Sequence, residues 1–134
     1  MTASEAALKI KETSFQAEGV PTETMLHGPF QCVEAEALFV LIAPEGAARE
    51  RTLEIAGLAE EVGSAVVVDD GVGDVSPSAE RLMVCPVPEA FSALTCLVPL
   101  QLFSYHLALA RGTNPDSFRA DDPRFARADV SGRL

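Results

Sequence analysis

At 134 residues, with 48% of them hydrophobic and 22% charged, the chain is long enough for one domain with a buried core and too apolar to be disordered. Twenty acidic residues against ten basic ones give a net charge of −10, and the basic residues form no run, which argues against nucleic acid or an anionic membrane as a partner. Cys32, Cys85 and Cys96 are odd in number, lack C-x-x-C spacing and lie in apolar settings, so buried thiols in a reducing, cytoplasmic compartment are expected rather than disulfides or zinc.

Residues 4–16 read as a helix that Ser4 can cap and that Gly19 with Pro21 ends. A short helical turn is expected from Thr22 towards His27-Gly28-Pro29. Residues 38–42 are a continuous apolar run closed by Pro44, the pattern of a strand buried on both faces. An amphipathic helix follows over 46–62, with Leu53, Ile55, Ala56, Leu58 and Ala59 on its apolar side and Gly63 at the C-cap position. Residues 65–69 give a second buried strand, and 71–80 a loop rich in Gly, Ser, Pro and Asp. A third strand is expected over 82–85 and a long helix over 89–111, which Pro99 should kink or divide. Ser, Thr, Pro, Gln and His interrupt its apolar run, so it reads as a core helix and not a membrane span. The tail, 113–134, is polar and expected to be irregular. Strand–helix–strand alternation with apolar strands predicts a three-layer α/β/α fold on a parallel sheet.

Glu5, Lys9 and Glu12 are spaced i, i+4, i+7, so an ideal helix projects all three from one face. Two carboxylates flanking an ammonium form a proton relay if the face lines a pocket, and a salt-bridged solvent face if it does not. On spacing alone the salt-bridged face is the favoured reading, because such charged triplets are common on helices of soluble proteins. His27 precedes Gly-Pro, where the backbone turns, and can approach a ligand or simply bond a loop carbonyl. His106, on the apolar last helix, reads as a core histidine, with Gln101 and Tyr105 as core polar groups. Arg119, Arg124 and Arg127 could bind a phosphate, but Asp116, Asp121 and Asp122 beside them favour a solvated tail. No dinucleotide, Walker-A or nucleophile-elbow sequence occurs, and no metal-ligand pair, so no metal or cofactor is expected.

Glu5-Ala6-Ala7-Leu8-Lys9-Ile10-Lys11-Glu12, followed by Gln16-Ala17-Glu18 and Leu26-His27-Gly28-Pro29, resembles the start of the C-terminal sugar-isomerase (SIS) domain of glucosamine-6-phosphate synthase and the phosphosugar isomerases, deaminases and deglycases related to it. A second stretch, Val98-Pro99-Leu100-Gln101-Leu102-Phe103-Ser104-Tyr105-His106 through Gly112-Thr113-Asn114-Pro115-Asp116, is similar to the last helix and tail of that family. The resemblance covers nearly the whole chain and implies a single SIS domain over 1–134, flavodoxin-like, whose family's first strand and Gly-Arg-Gly turn have no match here. It implies a sugar phosphate as ligand, Glu12 as the base moving a proton between C1 and C2, Glu5 and Lys9 as its relay, and His27 assisting ring opening in a neighbouring subunit's site. The missing first strand would leave an open sheet edge and exposed apolar surface. Self-association as a homo-oligomer, expected to be a dimer, or marginal solubility is therefore expected, with pairing with another SIS domain as the alternative. The family's phosphate-binding Ser/Thr loops and its C-terminal lysine have no counterpart in this sequence. Catalysis as half of an isomerase, deaminase or deglycase therefore stands beside a second reading, a non-catalytic sugar-phosphate-binding or interaction module or a truncated remnant.

Overall fold

The computed structural model describes residues 1–13, 15–71, 74–75, 78–117 and 119–128. Position 14 of the first expected helix, positions 72–73 and 76–77 of the Gly/Ser/Pro/Asp loop, and positions 118 and 129–134 of the tail lie outside them. The chain forms two compact units, Val20–Pro99 and Met1–Gly19 with Leu100–Leu134.

The first unit is built on a three-stranded parallel sheet in the order β1 (Leu38–Ile42), β2 (Ser64–Asp69), β3 (Glu80–Met83). Leu38 pairs with Ser64 and Ile42 with Val68, while Val66 pairs with Glu80 and Asp69 with Met83. The Ala43 and Val84 amides extend the two ladders by one bond each, donating to the Val68 and Asp69 carbonyls at 2.8 Å. Between the first two strands runs α3 (Arg49–Val62), whose Ile55, Ala56 and Ala59 are fully buried against Leu41, Ala43, Ala65 and Val67. Their spacing of one, three and four keeps them on one helical face, so the crossover helix covers the sheet with one apolar stripe. The expected parallel α/β fold is the observed one. Burial of all three strands on both faces is not: Leu38 is 45% and Met83 70% exposed, because β1 and β3 are the edges of the described sheet and only β2 is flanked. β3 also begins two residues before its expected start, on Glu80 and Arg81.

Gly63 caps α3, but not through a left-handed backbone. Its φ of −166° is open to any residue, whereas an added Cβ would lie 2.7 Å from the Ala37 carbonyl oxygen, so space fixes the glycine there. The short helix α2 (Thr22–Leu26) and a 3₁₀ turn (Pro29–Cys32) precede β1, and a second 3₁₀ turn (Glu89–Phe91) leads into α4 (Ser92–Ala110), which carries Pro99 inside it.

In the second unit α1 spans Thr2–Glu12. It starts before Ser4, whose hydroxyl donates instead to the Gly19 carbonyl at 3.4 Å, and it stops earlier than expected because Thr13 turns back on it. The Thr13 amide and hydroxyl both donate to the Ile10 carbonyl, at 3.1 and 2.7 Å. Gly19 is not the helix stop but a crossing point, where an added Cβ would sit 2.3 Å from the Ala3 carbonyl oxygen. In the tail a further helix, α5 (Pro123–Ala128), stands where irregular chain was expected.

Along α4, Cys96, Leu100, Ser104 and Ala108 are buried at i, i+4 spacing, while Leu94, Val98, Leu102, Tyr105 and Leu109 are exposed. The expected core helix is thus buried on one side only. With the turn before it, the helix is long and apolar enough to cross a bilayer by length and composition. His106 follows Ser104 by two positions, about 200° around the helix. It is exposed, edge-on to Tyr105 at 5.3 Å, rather than in the core. Cys96 alone of the three cysteines is buried, and burial pushes its thiol up; Cys32 and Cys85 are exposed, against expectation.

Candidate functional site

Helix α1 buries Ala6 and Ala7 and turns Glu5, Lys9 and Glu12 together onto another side, as their spacing requires. The Lys9 ammonium donates to Glu12 Oε2 at 2.9 Å and lies 3.9 Å from Glu5 Oε1. The three side chains are 42%, 36% and 28% exposed in chain order, so the cluster is partly sheltered, most of all at Glu12. The hydrogen bond to Glu12 comes first in holding the Lys9 amine above the ordinary lysine range; partial burial opposes it, and the charges of Glu12 and Glu5 add to it. The result is a carboxylate oriented by a fixed ammonium on a rigid helix, with a second carboxylate within reach. Such a group can hold a proton donor or acceptor still against a bound substrate.

His27 caps α2, its amide donating to the Thr24 carbonyl at 3.2 Å, and its side chain is exposed. Gly28 follows at φ 150°, where a side chain would be strained, and its carbonyl accepts from the Gln31 amide at 3.1 Å. His27 belongs to the unit Val20–Pro99, whereas Glu5, Lys9 and Glu12 belong to the other.

Of the tail arginines, Arg119 stacks on Phe125 at 4.4 Å and reaches Asp122 at 3.5 Å, and Arg124 bonds Asp122 at 2.7 Å. The Arg124 side chain and amide hold the Asp122 carboxyl at about 2. These pairings fit the solvated-tail reading. Among the described residues no group of three or more His, Cys, Asp or Glu could hold a metal ion.

A second charged cluster was not anticipated. At the C-terminal end of β2 the fully buried Asp69 accepts from Arg81 Nε and Nη2, each at 2.6 Å, and from the Gly71 amide at 2.6 Å. Arg49 of α3 lies 3.9 Å from Asp69 and 3.7 Å from Asp70, and it also donates to the Ala43 carbonyl. Asp70 in turn accepts from the Glu45 amide at 2.8 Å. Burial alone would raise Asp69, but the Arg81 hydrogen bonds, the Gly71 amide and the charges of Arg81 and Arg49 outweigh it and hold the carboxyl below its usual range. The cluster ties the ends of β1 and β2 to α3 at the strand ends where open parallel sheets place their ligands. The signal for it was Asp69-Asp70 directly after an apolar strand.

No family model matches the chain. It is 38% identical over 117 residues to the glutamine–fructose-6-phosphate aminotransferase (isomerizing) of Pyrococcus horikoshii and 38% identical over 122 residues to that of Gloeobacter violaceus, in each case over 86% of its own length. The chain spans about one fifth, 20%, of those relatives. Among solved structures it superposes on the C-terminal domain of glucosamine-fructose-6-phosphate aminotransferase from Francisella tularensis with a TM-score of 0.73 at 29% identity, covering 86% of this chain and 34% of that one. A phosphosugar isomerase structure from Silicibacter pomeroyi gives a TM-score of 0.72 at 30% identity, covering 86% of this chain and 35% of that one. Tagatose-6-phosphate ketose/aldose isomerase from Escherichia coli shares the fold at a TM-score of 0.72 and 21% identity, over 87% of this chain and 34% of that one.

Proposed function

We propose that this chain, which belongs with the C-terminal SIS domains of the aminotransferase and phosphosugar-isomerase family, binds a sugar phosphate and supplies part of a proton-transfer site. The observation that carries the reading is Lys9 held 2.9 Å from Glu12 and 3.9 Å from Glu5 on one face of α1. In this reading residues 1–134 serve as one SIS domain. The Glu12 carboxylate takes the proton from the hydroxyl-bearing carbon beside the sugar carbonyl while the carbonyl oxygen takes up a proton from solvent, giving the enediol. Glu12 then returns its proton to the former carbonyl carbon as the other enediol hydroxyl releases its proton to solvent and becomes the new carbonyl. Lys9 fixes the Glu12 carboxylate, Glu5 completes the relay, and His27 assists ring opening in the site of a neighbouring subunit. The exposed loop position of His27 supports that last role.

The reading includes association, as a homo-oligomer or by pairing with another SIS domain, in the cytoplasm. It is supported by the exposed apolar residues along α4 and by the half-buried apolar strand β1 at the sheet edge. A second reading, a sugar-phosphate-binding module without turnover, is favoured by the substantial exposure of Glu5 and Lys9.

Fructose 6-phosphate is the probe, since the relatives' name carries it. Binding with conversion supports the catalytic reading, and binding without conversion supports the module. Where conversion occurs, Glu12→Gln lowers turnover by about two orders of magnitude or more while binding persists. An unchanged rate removes Glu12 from the mechanism and leaves the α1 face as a salt-bridged surface.

A further inference from the structure

Lys9 contributes a second group besides its ammonium. Its backbone carbonyl is among the last four of α1, which lack ordinary intrahelical donors. The Thr13 amide, four residues on, is drawn to the Ile10 carbonyl at 3.1 Å, and the Phe15 amide reaches that same carbonyl at 3.3 Å. The Lys9 carbonyl is served instead from α4, where the Ser104 hydroxyl donates to it at 2.9 Å across 95 residues of sequence. Ser104 is buried, 3% exposed, and its neighbours one turn away on the same helix face are the buried Leu100 and Ala108. A lone hydroxyl on an apolar face is costly unless it is paired, and here the pairing is to the turn of α1 that carries Lys9 and Glu12. Thr113 adds a looser tie further on, its hydroxyl lying 3.1 Å from the Ala108 carbonyl and 3.3 Å from the Thr13 carbonyl. Both ties lie within the unit formed by Met1–Gly19 and Leu100–Leu134.

We infer that Ser104 is a positioning residue for the Glu5–Lys9–Glu12 face, setting through the Lys9 carbonyl the rotation and height of the last turn of α1 and so the contact between the Lys9 ammonium and Glu12. The chemical role of that face rests on the function proposed above; the positioning itself rests on the hydrogen bond and the burial. A one-proton hydroxyl aimed at one carbonyl is a directional constraint, unlike the apolar contacts around it. It acts at the turn where the Lys9–Glu12 bond forms.

The test is Ser104→Ala in the full chain, with Ala108→Gly as its control. Ser104→Ala removes the donor, keeps nearly the same volume, and strands the Lys9 carbonyl. Ala108→Gly weakens the same helix face and leaves the hydroxyl in place. In Ser104→Ala the Lys9 titration midpoint, followed by NMR of its side-chain carbons, should fall towards that of an unpaired lysine. Amide exchange at residues 9–13 should quicken about tenfold, the loss of one such bond. Ala108→Gly should lower the melting temperature and leave the Lys9 midpoint as in the wild type. An unchanged midpoint in Ser104→Ala, or an equal fall in Ala108→Gly, overturns the inference. Titration of the wild type with fructose 6-phosphate forms a separate arm. Absence of binding there, beside a shifted Lys9 midpoint in Ser104→Ala, defeats the functional proposal and upholds the positioning role.

Discussion

Replacing Asp69 by Asn tests whether the buried charge cluster at the end of β2 holds the sheet unit together. The Asp69 side chain is fully buried and accepts two hydrogen bonds from Arg81 and one from the Gly71 amide, all at 2.6 Å, with Arg49 at 3.9 Å. Asn keeps the size but loses the charge, and it must turn its amide group towards donors that need an acceptor. Breaking a buried pair by removing one partner costs about 3–5 kcal/mol. Arg81 is 28% exposed and regains water when its partner is lost, which puts the expectation at the low end. A loss of about 3 kcal/mol at neutral pH follows, or roughly 10 °C in melting temperature for a chain of this size. The carboxyl of Asp69 lies below its usual range in the folded chain. Its stabilisation is therefore complete above the unfolded value of about 3.9 and lost as pH falls through the lower folded value. Urea unfolding of both proteins, followed by circular dichroism at neutral pH, at about pH 5 and at about pH 3, reads the difference directly. The gap should hold from neutral pH to about pH 5 and narrow only below about pH 4. A loss under about 1 kcal/mol at neutral pH, or a gap that widens in acid, would refute a stabilising charged Asp69.

Gly19→Ala places a methyl 2.3 Å from the Ala3 carbonyl oxygen and should destabilise the chain by about 2 kcal/mol, read from the same urea curves; an unchanged midpoint would mean that the crossing yields without strain. Thiol labelling of the native chain should modify Cys32 and Cys85 quickly and Cys96 only in denaturant. Rapid native labelling of Cys96 would show that α4 does not bury it.

The amino-acid sequence by itself determined the parallel α/β class, the positions of β1 and β2, and the shared face of Glu5, Lys9 and Glu12. Each of these follows from a local period: continuous apolar runs make strands, and i, i+4, i+7 spacing makes one helical face whatever lies across from it. The sequence also carried the family resemblance, because its two stretches keep their residues in linear order. It could not say that β1 and β3 are edges of the described sheet, since Leu38 and Met83 look as buried as Val67 until the neighbours are in place. Nor could it say which side of α4 is covered. That helix is apolar nearly all round, so no period distinguishes exposed His106 from buried Ser104. The close approaches at Gly19 and Gly63, the Asp69 cluster and the Ser104–Lys9 bond were hidden for one physical reason. Each depends on a carbonyl or a charge brought close by folding, from 12 to 95 residues away in the cases of Arg81 and Ser104, and only the tertiary structure sets that distance.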